Sequence, residues 1–276
     1  MLAVGAQFSR KASYYRRCVH YTICTFIASS AGILASPIFW AIGQRASGNW
    51  LVARTFYYAT LFMLGITVEI EGEEYLEEAR PCVMVGNHQT MLDLVMLGRV
   101  FPKQAVILAK RALSFYPFIG WFMRLSGDIF ISRGSKQSAS DMFKKASEEL
   151  RSKNVSVWFF PEGTRGRHED GPGLLPFKVG AFLLAYHAKV PIVPVVIMDF
   201  HNLYEKKTFW SVSGTLKVKV LKPIPMDNVK EEDLKDVMNK TRDLMLEELK
   251  KISPPRINHD AETGVAAVQA GAKKTN

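Results

Sequence analysis

The stretch CVMVGNHQTMLD, residues 82–93, passes from an apolar run through a short polar turn into a second apolar pattern. Cys82-Val83-Met84-Val85 are apolar at consecutive positions, as in a strand buried on both faces of a covered sheet. Gly86 and Asn87 break the run, and Thr90 stands where a helix would start. A strand that hands over directly to a helix predicts an α/β arrangement around this point.

The same stretch carries two groups able to move protons, His88 and Asp93, five positions apart. In one continuous helix they would stand about 140° apart around the axis, so they meet only across a bend. Two readings follow. With His88 in the loop and Asp93 in the first helical turn, the imidazole folds back onto the carboxylate as a working pair. Alternatively, Thr90-x-x-Asp93 is a capping box, and Asp93 merely holds a helix start.

Outward from this stretch, β-rich runs alternate with helical ones. Val68–Ile70, Cys82–Val85, Ala105–Leu108, Ile129–Ile131, Val155–Phe160, Ile192–Met198 and Leu216–Leu221 read as strands, with Ser138–Arg151, Phe177–Ala188 and Glu231–Lys251 as helices. The expected fold class is α/β, a largely parallel mixed sheet flanked by helices, with its ligands beyond the carboxyl ends of strands. The expected division is an anchor over residues 1–67, a catalytic domain over 68–252 and a flexible tail over 253–276.

The anchor is expected because residues 18–43 carry no Asp, Glu, Lys or Arg and exceed a bilayer's ~30 Å of hydrocarbon at ~1.5 Å per residue. Arg10, Lys11, Arg16 and Arg17 precede the segment and hold the N-terminus in the cytosol. A second apolar stretch, Thr55–Val68, with Ser47-Gly48-Asn49 as the turn, makes a membrane-embedded helical hairpin that returns to the cytosolic side. A single span would leave everything downstream in the lumen, where the sequons at Asn154 and Asn239 would be glycosylated; neither is expected to be. A secretory signal would need a shorter apolar core and a clean cleavage site. Cys18, Cys24 and Cys82 form neither a disulfide framework nor a C-x-x-C pair.

The net charge of +10 is uneven: +1 over residues 1–80, +7 over 81–190 and +2 beyond. Basic surface attracts nucleic acid, acidic membrane or phosphorylated small molecules. Missing recognition motifs and the apolar N-terminus speak against nucleic acid. No third ligand at sensible spacing accompanies His88 and Asp93, so no metal is expected. The stretch FPEGTRGR, residues 160–167, follows a strand and allows two readings of its own. Pro161-Glu162-Gly163 suits a tight turn with Glu162 pairing Arg165, or else Arg165 grips a phosphate at a strand end while Glu162 orients it or accepts a substrate hydroxyl.

Four blocks in order give the chain a resemblance to the 1-acylglycerol-3-phosphate acyltransferases, fungal members above all. Asn87 to Asp93 resembles the family's NHxxxxD block, with Thr90 where serine is common; Lys110, Leu113, Pro117, Gly120, Gly127, Phe130, Ile131 and Arg133 resemble the second. Phe160 to Arg165 matches the third, and Val190-Pro191-Ile192-Val193-Pro194-Val195 resembles the fourth. The resemblance spans most of residues 50–250. It implies that His88 is the general base, oriented by Asp93, and takes the proton of a lysophospholipid hydroxyl that attacks an acyl-CoA thioester. It assigns substrate binding to Lys110, Arg133, Glu162, Gly163, Thr164 and Arg165, with Arg167 and Lys178 as further cations and Lys110 or backbone amides at the oxyanion. It implies no cofactor beyond acyl-CoA as co-substrate, and acyl-CoA, lysophosphatidate and the bilayer as partners. Alternatives are another lysophospholipid or glycerol 3-phosphate as acceptor, or a lipid-binding protein without catalysis. FYPFIGWFM, residues 115–123, reads as an interfacial belt, an acyl-chain tunnel or a plain core helix. Lys273-Lys274 resembles a retrieval signal for the endoplasmic reticulum, with the catalytic domain cytosolic and a lipid droplet surface as the other expected location.

Overall fold

The computed structural model describes residues 2–131, 143–144, 146–148, 150–166, 168 and 170–257. The strands are β1 (Ile66–Glu71), β2 (Val83–Gly86), β3 (Ala105–Lys110), β4 (Ile129–Ile131), β5 (Ser156–Phe159), β6 (Ile192–Ile197), β7 (Tyr204–Glu205), β8 (Trp210–Ser211) and β9 (Gly214–Val220). Seven of them form one sheet in the order β1-β9-β6-β2-β5-β3-β4, and β7 and β8 pair as a separate ribbon. β6, β2, β5, β3 and β4 are mutually parallel; β9 runs antiparallel to β6, and β1 parallel to β9. The largely parallel mixed sheet expected from the apolar runs is present, with strands at all seven expected places.

The two faces of the sheet explain those runs. Along β2, Met84 joins a core shared with Val95, Met96 and Trp158, whereas Val83 and Val85 join the opposite core with Phe182, Leu184 and Leu249. The first face is covered by α1 (Leu2–Ala41), α2 (Ser47–Leu64) and α4 (Asp93–Val100), with α3 (Glu74–Glu78) at its edge and α5 (Ile119–Leu125) beside α1. The second is covered by α6 (Gly180–Ala188), α7 (Leu234–Ile252) and helical residues between 143 and 152.

α1 and α2 are antiparallel neighbours that share the sheet's own core: Tyr21, Cys24 and Ala28 of α1 and Phe56, Tyr57 and Leu64 of α2 are buried with β1 and α4. Arg17 fastens the hairpin, donating from Nη2 to the Leu64 carbonyl at 2.8 Å and the Val212 carbonyl at 2.9 Å, and from Nε to Ser211 Oγ at 3.0 Å. Both the start of the apolar part of α1 and the end of α2 are therefore held at the globular body.

The expected turn is displaced. Ser47-Gly48-Asn49 is the buried first turn of α2, and the chain reverses before it, around Gly43 at φ 70°. The reason is packing, because Gly48 fits against Phe39, Phe122 and Ser126, while the Asn49 side chain reaches the Ala105 carbonyl and Asp128. The helix expected from Phe177 begins only at Gly180, since the Lys178 amide donates to the Pro161 carbonyl at 2.8 Å and keeps that segment extended. Much of the helix expected at Ser138–Arg151 and the tail from residue 258 onward lie outside the described residues. Just before the tail, Ser253 to Ile257 straps back onto the body: Ser253 Oγ accepts from the Asp199 amide, and Asn202 bonds the Pro255 carbonyl and the Ile257 amide.

Candidate active site

β2 delivers His88 to the carboxyl end of the sheet, beside the end of β5. The handover requires Gly86, because a Cβ there would lie 2.4 Å from the Trp158 ring. Asn87 then clips the loop to β6: its Nδ2 donates to the Ile197 carbonyl at 2.9 Å, and its Oδ1 accepts from the Ile197 amide at 2.8 Å. Gln89 repeats the attachment one step further, donating to the Met198 carbonyl at 2.9 Å. His88 thus sits between two residues bolted to the neighbouring strand.

The imidazole and carboxylate meet. His88 Nδ1 lies 2.6 Å from Asp93 Oδ2, and the same oxygen accepts from the Gln89 and Thr90 amides at 2.8 and 3.0 Å. Thr90 Oγ1 in turn accepts from the Leu92 amide at 3.0 Å. The pair and the capping arrangement coexist, so the choice posed by the sequence dissolves. With a carboxylate on Nδ1, the proton of the neutral ring resides there and Nε2 is left as the basic nitrogen. Asp93 is 1% exposed while the His88 side chain keeps 21% exposure, so the ring's open edge is the one away from Asp93. Burial pushes the Asp93 carboxyl above its ordinary value, and the bond from His88 and the two amides pull it back. Phe160 stacks on the imidazole, ring centroids 4.1 Å apart.

FPEGTR forms the facing wall. The Gly163 amide closes a turn onto the Phe160 carbonyl at 3.0 Å, and Gly163, at φ 69°, adopts the left-handed conformation that favours glycine. A Cβ there would also meet Lys178 Nζ at 2.5 Å. Glu162 points inward: Oε1 accepts the His88 amide at 2.8 Å and Oε2 the Leu175 amide at 2.9 Å. Burial raises its carboxyl, against the bonds from those two amides. Arg242 of α7 grips the same loop, donating to the Leu174 and Leu175 carbonyls at 2.6 and 3.1 Å.

His88 opens onto a cavity of about 1080 Å³. Thr164, Arg165 and Lys178 line it near His88, and apolar side chains of α1, α2, α4, β3 and α5 line the remainder, among them Ala28, Phe56, Leu97, Ile107 and Phe122. Such a shape suits a long apolar chain with an anionic head.

Residues 67–198, which hold His88, Asp93 and FPEGTR, match the Acyltransferase protein family. Over 246 residues the chain is 39% identical to the 1-acyl-sn-glycerol-3-phosphate acyltransferase of Saccharomyces cerevisiae, covering 89% of this chain and 80% of that one. The chain belongs to the 1-acyl-sn-glycerol-3-phosphate acyltransferase family. It is also 37% identical over 234 residues to the human 1-acyl-sn-glycerol-3-phosphate acyltransferase beta, covering 85% of this chain and 82% of the relative. The crystal structure of the 1-acyl-sn-glycerophosphate acyltransferase PlsC from Thermotoga maritima shares its fold, with a TM-score of 0.61 at 23% identity over 85% of this chain and 98% of that one.

In this acyltransferase, His88, Asp93, Gly163, Thr164 and Arg165 gather at one end of the cavity, with Lys178 beside them. Glu162, expected to orient Arg165 or accept a substrate hydroxyl, has both oxygens occupied by backbone amides and is 3% exposed. Lys110 closes β3 with its side chain outside the described set, and Arg133 and Arg167 lie outside the described residues. Sequence reasoning gave no task to Asn87, Gln89, Phe160 or Arg242, although the polar pair flanking His88 was a signal that both side chains are fixed to something. Nor did it foresee that the N-terminal helices build much of the cavity wall.

Proposed function

We propose that this protein transfers an acyl group from acyl-CoA to the free hydroxyl of 1-acyl-glycerol 3-phosphate, giving phosphatidate for phospholipid synthesis. The observation that carries the reading is the His88–Asp93 pair at the mouth of a long apolar cavity whose polar end bears Arg165 and Lys178. His88 Nε2 takes the hydroxyl proton as the oxygen attacks the thioester carbon. The tetrahedral adduct expels the CoA thiolate, which receives that proton from the imidazolium that Asp93 stabilises. The thioester is already activated, so no enzyme nucleophile is required. Arg165 and Lys178 attract the phosphomonoester and the CoA phosphates. The names of the relatives support lysophosphatidate as acceptor.

The reaction takes place at a membrane surface. One helix, Ser9–Ala41, is long and apolar enough to cross a bilayer. Arg17 nevertheless ties its start beside the end of α2, which favours a hairpin dipping into one leaflet over a single span. Phe26, Leu34, Trp40 and Phe62 on that hairpin and Phe115 and Trp121 beside it are exposed and apolar, as a lipid-facing surface would be. The basic residues Arg10, Lys11, Arg16 and Arg17 before the apolar segment support a catalytic domain on the cytosolic side, at the endoplasmic reticulum or a lipid droplet.

Membranes carrying the wild-type chain or its His88→Ala form, given labelled acyl-CoA and a panel of acceptors, test the reading. Transfer to lysophosphatidate is expected, with a loss of about 10²-fold or more in the variant. Equal activity in the variant overturns the mechanism, and preference for a choline, ethanolamine or glycerol 3-phosphate acceptor overturns the substrate.

A further inference from the structure

The cavity wall holds a second polar group remote from His88. Asp128, in the turn between α5 and β4, and Asn49, in the first turn of α2, are 8% and 4% exposed and both line the cavity. Asp128 Oδ1 accepts from Asn49 Nδ2 at 2.9 Å and from the Ile107 amide at 2.8 Å; Asn49 also donates to the Ala105 carbonyl at 3.1 Å. Asp128 Oδ2 is buried with no hydrogen-bond partner among the described residues. Strand register places the group. Ile107 lies level with Trp158 on β5, and Trp158 with Met84 on β2, four residues before His88. At ordinary strand spacings Ile107 is then about 16 Å from His88, and Asp128, which accepts from the Ile107 amide, lies at that level of the sheet.

We propose that Asp128 makes uptake of long acyl chains proton-linked, a donor chain that reaches this wall being bound with Asp128 in its neutral acid form while the carboxylate favours shorter chains. The proposal rests on the reading of the cavity as the acyl-donor site. Oδ2 is already out of contact with solvent, and a methylene chain beside it fills the cavity with hydrocarbon in place of polarisable water and offers no hydrogen bond, which a carboxylate tolerates far less well than a carboxylic acid. Burial already raises this carboxyl to about 7, against the opposing bonds from the Ile107 amide and Asn49.

Among the described residues, the surrounding charges are engaged elsewhere. Next to α2, Arg45 gives its guanidinium to the Arg124 and Leu125 carbonyls, and on α2 Arg54 gives its own to the Gly98 carbonyl. On α5, Arg124 bonds Ser114 and lies over the Phe115 ring. Lys103, before β3, lies over the Trp50 ring. β4 and β5 carry no titratable side chain, and α1 lines the cavity with Thr25, Ala28 and Ser29. Of the other titratable groups lining the cavity, His88, Asp93, Arg165 and Lys178 lie at the His88 end, and Tyr116 stands just before α5.

The test is binding of two unreactive thioether analogues, of hexadecanoyl-CoA and of octanoyl-CoA, to the full chain in nanodiscs across neutral pH. Below the Asp128 pKa the acid is already protonated and affinity is flat. Above it each long chain bound takes up one proton, so the dissociation constant of the long analogue rises by about tenfold per pH unit. The short analogue is expected to keep a flat profile. Asp128→Asn, which preserves the acceptor for Asn49 and Ile107, is expected to flatten the long-chain profile as well. A shared profile for both lengths in the wild type, or a slope that persists in Asp128→Asn, overturns the proposal and leaves the donor reading standing. Failure of either analogue to bind at any pH overturns both, and acyl transfer to lysophosphatidate in the same nanodiscs reports separately on the acceptor.

Discussion

Three donors converge on one oxygen of Asp93, so the side chain holds both the imidazole and the turn that leads into α4. Asp93→Asn should therefore injure both. An amide oxygen can still accept the backbone N–H groups, but it stabilises an imidazolium poorly, so kcat is expected to fall by about 10²-fold or more with KM little changed. Steady-state kinetics checks the first effect, and a lowered Tm the second. Glu162 bonds the His88 amide, so a change there is expected to act through His88. Glu162→Gln keeps one acceptor and turns a donor toward the Leu175 amide, a mismatch of about 1–2 kcal/mol that should cost roughly tenfold in kcat. An unchanged kcat with a raised KM for lysophosphatidate would return Glu162 to the substrate. At Asp128 the folded carboxyl is raised to about 7, so the native state holds its proton more tightly than the unfolded chain. That contribution to stability is complete below the ordinary carboxylate range and is lost as pH climbs toward the raised value. Asp128→Asn should accordingly raise Tm relative to wild type at pH 8 and not at pH 4, as read by thermal denaturation in detergent. For His88 and Asp93, helix geometry required only that any meeting cross a bend; a helix cap competed, and the resemblance carried by FPEGTR favoured the pair. For Glu162 the sequence could not choose, because its type suits ligand and backbone alike and only burial shows the backbone amides it holds.

Elements transmit these positions over longer distances. Arg242 on α7 holds the Leu174 and Leu175 carbonyls, the Leu175 amide holds Glu162, and Glu162 holds the His88 amide. Arg242→Ala is expected to lower kcat several-fold with little change in KM. Arg242→Lys should rescue poorly, because one ammonium does not reproduce a fork over two carbonyls. Rescue by lysine would reduce the contact to a surface charge. On the other face, α2 and α4 touch at Gly98, where a Cβ would lie 2.8 Å from the Ala53 carbonyl. Strands were readable as elements because burial on both faces leaves consecutive apolar residues. The position of the hairpin turn was not, since Ser47-Gly48-Asn49 has turn composition but is recruited into α2 by contacts with Phe39, Phe122 and Asp128.

At the scale of the molecule, the N-terminal helices share the core of the sheet, and Thr25, Ser29 and Phe56 form part of the cavity wall. The expected boundary at residue 67 matches the end of an apolar stretch, but it cuts β1 after its second residue, because sequence hydropathy does not distinguish lipid from a neighbouring helix. A chain lacking residues 1–64 should lose activity even when lipid is supplied in detergent, measured as transfer by the purified protein. β1 occupies one edge of the sheet and pairs only with β9, residues 214–220, while Arg17 waits for Ser211 and Val212. During synthesis, the first strand to leave the ribosome thus has no partner until residues 148 positions further along the chain have followed it, as Gly214 does Ile66. The N-terminal hairpin is made first yet seated last, so a chain interrupted before β9 leaves a bare sheet edge beside an apolar hairpin, the combination most apt to aggregate.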